Sequence, residues 1–497
     1  MKKIALFVLL LICFQSGHSV GASQKEAIQR IFDYLVANNL FNGTALVVDR
    51  GIVVYGGAFG YANVEWEIPN TIDTKFEIGS VTKQFTAALI LQLAAEHKIA
   101  LTDTVSRYLP AMPKKFGDRI TIHQLLTHTS GLPTHFSSMA DYLKVGLRIP
   151  YTFEERLEQI ESGEFEFIPG TSWSYNGFGY TVLGEIIARV TNTPLEDNYK
   201  ERIFDPLGMT QSGAFLDSRL VSKRAYGYQK RWDDSFIPAA YSSKTKAKLG
   251  GGGLYSNVED LLKWHNALQG GAFLSEEMRK QYFTPHYRFP DGSGYCYGNY
   301  YERYEVDPSS HVDVYFHGGS LPGTSSLILR VPERNQCVIL LHNGGMGHEE
   351  FLQAIATEIL NVLYVKQVQL PQMSILYSVG YTALFGSIEE ATRHYFFLKE
   401  HLQDAYVFGP DQLNTMGMVL MQFGAYENVP GILGLSIEEY PEDHSGYRQL
   451  GQYYFAVEKK YDIATKYMRK ALDLSDGETK DEIRNEIVEI EKTKQGN

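Results

Sequence analysis

Residues 76–95 read Phe76-Glu77-Ile78-Gly79-Ser80-Val81-Thr82-Lys83-Gln84-Phe85-Thr86-Ala87-Ala88-Leu89-Ile90-Leu91-Gln92-Leu93-Ala94-Ala95. From Phe85 to Ala95 the run is apolar on nearly all sides, broken only by Thr86 and Gln92, which predicts a buried central helix. Ser80 and Lys83 stand at its start. A three-residue offset puts them one helical turn apart on one face, with Cβ atoms roughly 5–6 Å apart. A serine hydroxyl is a weak nucleophile until a neighbour takes its proton. Lysine can do so when burial or nearby positive potential lowers its pKa. The helix N-terminus adds backbone N–H groups and positive potential at Ser80, suited to the oxygen that turns negative when an acyl carbon is attacked.

Ser-x-x-Lys alone is a weak signal, and the chain holds a second copy, Ser243-Lys244-Thr245-Lys246. That copy lies in a Lys-rich loop before Gly250–Gly253 with no apolar helix after it, so its ordinary reading is a solvated basic loop. Two further stretches support Ser80. Trp173-Ser174-Tyr175-Asn176-Gly177 follows Pro169-Gly170 and precedes an apolar helix, Tyr180–Val190. A buried tyrosine near a lysine can exist partly as phenolate and act as a base. His317-Gly318-Gly319-Ser320 ends a predicted strand, where two glycines permit close approach by a substrate and the strand edge offers N–H groups. A third serine motif is a decoy: Gly17-His18-Ser19-Val20-Gly21 matches the nucleophile elbow by letter but falls in a leader.

Outward from the helix, Gly43–Asp49 and Ile52–Gly60 predict a hairpin across Arg50-Gly51. Strands return at Val314–His317, Ser325–Val331 and Gln336–His342, the last two joined by Pro332-Glu333-Arg334-Asn335. Gly347–Val365 predicts a closing helix. Strands at both ends with helices between imply an α+β domain: one antiparallel sheet built from both ends, helices on both faces and a helical insert. Gln367–Gln372 has the texture of a linker, and an all-α region follows. Its glycines Gly417 and Gly451 are 34 residues apart, with Tyr426 and Tyr461 at similar offsets and Ala464 and Ala471 at helix-packing spacing. That period marks degenerate tetratricopeptide-like helix pairs, which recruit protein partners.

The chain has 497 residues, enough for two or three domains. With 46 Lys+Arg against 58 Asp+Glu the net charge is −12, which argues against nucleic acid as a partner. Three Cys are too few for a disulfide scaffold or a Cys-rich metal site. Lys2 and Lys3, the apolar run Ile4–Phe14 and small residues to Ala22 describe a secretory signal peptide over 1–22, too short to span a bilayer. Cleavage leaves Cys296 and Cys337, which an oxidising compartment would allow to pair. The expected organisation is therefore 1–22 leader, 23–366 catalytic domain and 367–497 helical domain. The expected location is periplasmic or extracellular, without a membrane anchor.

Taken in order, the three elements resemble the serine β-lactamase and penicillin-binding superfamily. The nearest branch holds class C β-lactamases, D,D-carboxypeptidases, D-aminopeptidases and related esterases. Supporting stretches are Phe76–Phe85, Ile120-Thr121-Ile122-His123-Gln124-Leu125-Leu126-Thr127-His128-Thr129-Ser130-Gly131-Leu132-Pro133, Asp205-Pro206-Leu207-Gly208-Met209 and Gly252-Gly253-Leu254-Tyr255-Ser256. The resemblance covers roughly residues 25–365.

It implies that Ser80 is acylated, that Lys83 takes its proton and that Tyr175 acts with Lys83 as base and proton shuttle. It implies an oxyanion hole from the amides of Ser80 and Ser320. His317 stands where the family has the lysine of a Lys-Thr-Gly motif, so His317, Gly318 and Gly319 are expected to bind substrate, with Asn176 and His135 as further pocket residues. No cofactor is implied. His123, His128 and His135 lack an acidic partner at ligand spacing, so a metal is not expected. One departure stands out: the family's tyrosine motif is usually Tyr-x-Asn, and here Tyr175 is followed by Asn176 and Gly177. That weighs against strong β-lactamase activity and leaves room for an esterase or peptidase. The competing reading is a protein that binds peptidoglycan-like peptides without turnover and recruits a partner through its helical repeats.

Overall fold

The computed structural model describes residues 20–133, 148–231, 233, 235–345 and 349–496. The expected leader up to residue 19 and His135 lie outside the described residues. Eight strands form one antiparallel sheet: β1 Gly43–Asp49, β2 Ile52–Phe59, β3 Tyr287–Arg288, β4 Gly294–Tyr295, β5 Tyr300–Asp307, β6 Ser310–Leu321, β7 Thr324–Val331 and β8 Gln336–His342. Their order is β3-β4-β5-β6-β7-β8-β1-β2. β1 lies against β8, with Gly43 opposite His342 and Val47 opposite Val338, so early and late chain close one sheet.

Strand β7 is buried along its whole length, and β8 likewise, because helices cover both faces. On one face Leu46, Val48, Ile328, Ile339 and Leu341 pack with helix α2 (Thr82–Ala95), helix α3 (Gly177–Thr191) and helix α4 (Val258–Gln269). Helix α2 has eleven buried residues, as its all-round apolarity predicts. On the other face Ala45, Val47, Leu327, Leu329, Val338 and Leu340 pack with helix α1 (Val20–Ala37) and helix α5 (Glu349–Leu363).

The sequence did not suggest β3–β5. Tyr300–Asp307 mixes three tyrosines and a valine with charged residues and alternates half-buried with exposed positions from Glu302 onward, so it carries no continuous apolar run.

After Leu363 the chain is mostly helical: α6 Val379–Phe385, α7 Ile388–His401, α8 Pro410–Gln422, α9 Val429–Glu439, α10 His444–Ala456, α11 Tyr461–Leu474 and α12 Gly477–Gly496. Gly417 and Gly451, the pair that set the 34-residue spacing, occupy equivalent places. A Cβ on Gly417 would meet Leu433 of α9 at 2.6 Å, and one on Gly451 would meet Met468 of α11 at 2.7 Å. Each glycine lets the next helix approach closely.

The expected linker does not separate two cores. One apolar cluster runs from the sheet through α1 and α5 to Ile375, Val379, Tyr395, Leu413, Leu433 and Tyr453. A small second cluster of Ala464, Met468, Ala471 and Ile483 holds α11 to α12. Among the described residues no helix is long and apolar enough to cross a membrane. Cys296 and Cys337 are buried free thiols.

Candidate active site

A short ladder aims the start of α2. Phe76–Glu77 pairs with Leu254–Ser256, and Ile78 donates its amide to Leu254 O at 3.0 Å. One turn of 3-10 helix, Gly79–Val81, then feeds into Thr82–Ala95. Ser80 is half-buried at the mouth and Lys83 is 1% exposed. Lys83 Nζ lies 2.9 Å from Ser80 Oγ and 2.7 Å from the carbonyl of Gly251. Gly251 must be glycine for this, since a Cβ there would sit 2.5 Å from the carbonyl of Gly177. Burial pushes the Lys83 ammonium down to about 7. A neutral amine so held donates to Gly251 and has a lone pair left for the Ser80 proton.

The Tyr175 ring lies over Lys83, with Nζ 4.8 Å from its centroid. Its side chain is 36% exposed, so it stands in the cleft wall and is not buried as the sequence reading supposed. Asn176 is committed elsewhere. Its Oδ1 caps α3 by accepting the Gly179 amide at 3.1 Å, and its Nδ2 donates to Leu132 O at 2.7 Å. That corrects the expectation that its amide serves substrate: the residue's work here is to start a helix. Gly177 leaves open space, with nothing within 4 Å of where its Cβ would be.

Strand β6 continues past the end of β5, whose last pair is Tyr300 with Phe316. Gly319 meets the α2 entry. A Cβ on it would fall 2.2 Å from Ile78 O, and a Cβ on Gly79 would fall 3.1 Å from the Ser320 amide nitrogen. The Ser320 amide is thereby brought against the residue preceding Ser80. Gly318 faces the opposite side of the sheet, where a Cβ would meet Glu349 of α5 at 2.7 Å. Glu349 accepts a hydrogen bond from Ser320, while burial pushes its carboxyl up.

His317 is buried, and both ring nitrogens are engaged inside the protein. Nδ1 is 2.6 Å from Gly318 O and Nε2 is 3.2 Å from Tyr295 Oη. A carbonyl only accepts, so Nδ1 carries the proton and Nε2 accepts from the phenol. Burial, with Lys83 nearby, pushes this imidazole down to about 3, so it is neutral. The family's lysine presents a cation; His317 presents an uncharged ring facing inward, and the expectation that it grips substrate directly has no nitrogen to rest on.

Two residues of this cluster were not singled out as functional in the sequence. His128, the histidine of Thr127-His128-Thr129-Ser130-Gly131, is buried with its ring 4.4 Å from that of Tyr175. Tyr295 joins His128 Nε2 (3.1 Å) to His317 Nε2 (3.2 Å). Trp173, Phe289 and Tyr300 complete an aromatic wall, with Trp173 and Phe289 centroids 4.9 Å apart and Tyr300 5.5 Å from His317.

The second Ser-x-x-Lys copy is not a solvated loop. Ser243 is buried, donates to Ile149 O at 3.1 Å and accepts from Lys248 Nζ at 2.7 Å, while Lys244 pairs with Glu77 and Lys246 with Glu196. Its spacing does not bring Lys246 to Ser243, because no α-helix follows it.

The family model described as Beta-lactamase matches residues 28–361, and the chain belongs to this family, a serine hydrolase superfamily. Among relatives, a putative penicillin-binding protein, PbpX of Bacillus subtilis, is 33% identical over 315 residues, covering 63% of this chain and 73% of that protein. The esterase EstB of Burkholderia gladioli is 30% identical over 295 residues, covering 52% and 74%. The crystal structure of a penicillin-binding protein from Bacillus halodurans superposes with a TM-score of 0.58 at 28% identity, covering 66% of this chain and 98% of that one.

Proposed function

We propose that this protein is an exported serine hydrolase that works through an acyl-Ser80 intermediate. Its substrates are esters, D-amino-acid amides or peptides, or β-lactams. The observation that carries this reading is the buried Lys83 amine, 2.9 Å from Ser80 Oγ and tuned to about 7. Ser80 Oγ bonds to the acyl carbon as its proton passes to Lys83, assisted by Tyr175. The amides of Ser80 and Ser320 hold the negative oxygen. The C–O or C–N bond then breaks, the proton goes to the leaving group, and water releases the acyl group by the same steps in reverse roles. The neutral His317, the missing amide at Gly177 and the aromatic wall favour esters over carboxylate-bearing β-lactams.

A second reading, capture of peptide without turnover with the helical region recruiting a partner, draws on the same missing amide and on the 34-residue glycine spacing. One experiment separates the two. The protein is incubated with p-nitrophenyl esters and with fluorescent penicillin, and Ser80 is examined by mass spectrometry. Turnover with an adduct on Ser80 is expected; a folded protein with neither is the non-catalytic binder.

A further inference from the structure

His128 touches the loop that carries Tyr175 at both of the amides flanking that tyrosine. Ser174 N donates to the His128 carbonyl at 3.0 Å, and Asn176 N donates to His128 Nδ1 at 3.1 Å. Between these two bonds the Tyr175 ring lies against the imidazole, 4.4 Å centre to centre. To reach the loop with ring and carbonyl together, His128 holds a left-handed backbone, φ 58°. That conformation is uncommon for a residue with a side chain and marks a position where the surroundings over-determine the backbone.

The same bonds fix the ring's chemistry. Nδ1 accepts from Asn176, so the proton is on Nε2, and Nε2–H donates to Tyr295 Oη at 3.1 Å. Tyr295 Oη–H in turn donates to His317 Nε2 at 3.2 Å, and His317 Nδ1–H donates to Gly318 O. The tautomers of His128 and His317 follow from these bonds, and the Tyr295 hydroxyl that joins them also interacts with Tyr180. The charged and titratable groups around it are Lys83 from α2, Tyr175 from the loop, Tyr180 from α3, Tyr295 from β4 and Tyr300 from β5, with Glu349 of α5 acting on Tyr300. Burial and the Lys83 cation both oppose a second proton on either ring.

We propose that His128 is the positioning residue of this site: its neutral ring and carbonyl clamp Tyr175 beside Lys83 and, through Tyr295, hold His317 in its inward, uncharged form. This rests on the serine hydrolase reading, and the test keeps the two apart. In ¹⁵N imidazole spectra of the wild-type protein, His128 carries its proton on Nε2 and His317 on Nδ1, and both stay neutral well below the pH at which an ordinary imidazole titrates; no turnover is needed to see this. In Tyr295→Phe, His317 loses the proton donated to Nε2, and its titration moves up by about one unit or more. With a neutral p-nitrophenyl ester, His128→Leu lowers kcat by about 10²-fold with KM within about threefold, the signature of a misplaced catalytic group. His128→Asn tolerates the left-handed backbone and keeps an acceptor near Nδ1, so it retains the clamp and loses the bridge. Its kcat falls by about tenfold or less, and it covers the case in which the leucine variant does not fold. A His128 that titrates near 6.5 in the wild type, a proton on its Nδ1, or a folded His128→Leu with unchanged kcat would overturn the proposal. Absence of wild-type turnover and of Ser80 labelling, with the tautomers as described, would overturn the hydrolase reading and leave the clamp standing.

Discussion

Lys83 is worth more to chemistry than to the fold. Holding a lysine in a dry site at a pKa near 7 costs stability wherever the unfolded chain's amine is protonated, and the cost changes with pH where the unfolded chain binds a proton that the folded chain does not. The sign follows from the lowered value. Between about pH 7 and 10.5 the unfolded state carries more protons, so this residue's penalty shrinks as pH rises toward 10.5. Below 7 it is present in full. Lys83→Met should abolish Ser80 acylation while leaving the melting temperature at pH 6 unchanged or higher, by about 1–3 kcal/mol in stability. Calorimetry on both proteins checks this; a large drop in melting temperature would mean that the amine is structural. In the wild type kcat/KM for a neutral ester should rise tenfold per pH unit below about 7 and flatten above it, as the amine loses its proton. Gly177 offers the opposite kind of change. Its Cβ position is empty, so Gly177→Asn should fold at no loss and raise the rate of acylation by penicillin, measured by stopped-flow fluorescence.

Among elements, β6 is the one whose packing bears on the site, pressed between the α2 entry at Ile78 and the start of α5 at Glu349. Gly319→Ala puts a methyl 2.2 Å from a carbonyl oxygen, so strand and helix entry must separate. The expected result is loss of esterase activity by at least about 10²-fold, with a fall in stability of about 1–3 kcal/mol read by urea unfolding. At this scale the sequence was informative where a pattern was local. The all-round apolarity of Phe85–Ala95, the hairpin at Arg50-Gly51 and the paired glycines of β6 each declare themselves within a few residues. What stayed hidden depends on contacts far along the chain. Tyr295 meets His128 across 167 residues, and Asn176 meets Leu132 across 44. No spacing encodes a bond of that kind. The Ser243 loop misled for the same reason: its burial against Ile149 and Glu77 is set by the fold around it.

Across the whole molecule, the composition and the two sets of strands were enough to imply a sheet closed by both ends of the domain. The change of texture near residue 366 falls between α5 and the helices α6–α12. It did not mark a separate core, because continuity of packing has no sequence signature. A chain ending at residue 366 would strip helices α6–α10 from the apolar cluster they share with α1 and α5. Such a truncation should aggregate or melt at least about 10 °C lower, by the loss of buried apolar area. A truncated protein with unchanged melting and ester turnover would show that the helical region is dispensable.

The hydrogen bond from Tyr377, in the stretch just before α6, to Glu350 lies one residue from the carboxylate that holds Ser320. The helical wing therefore ends directly behind the strand bearing the amide that would face a reacting carbonyl. Because wing and sheet share one apolar cluster, heat that loosens the wing should take turnover and the sheet with it, so activity and structure are expected to fail together on warming.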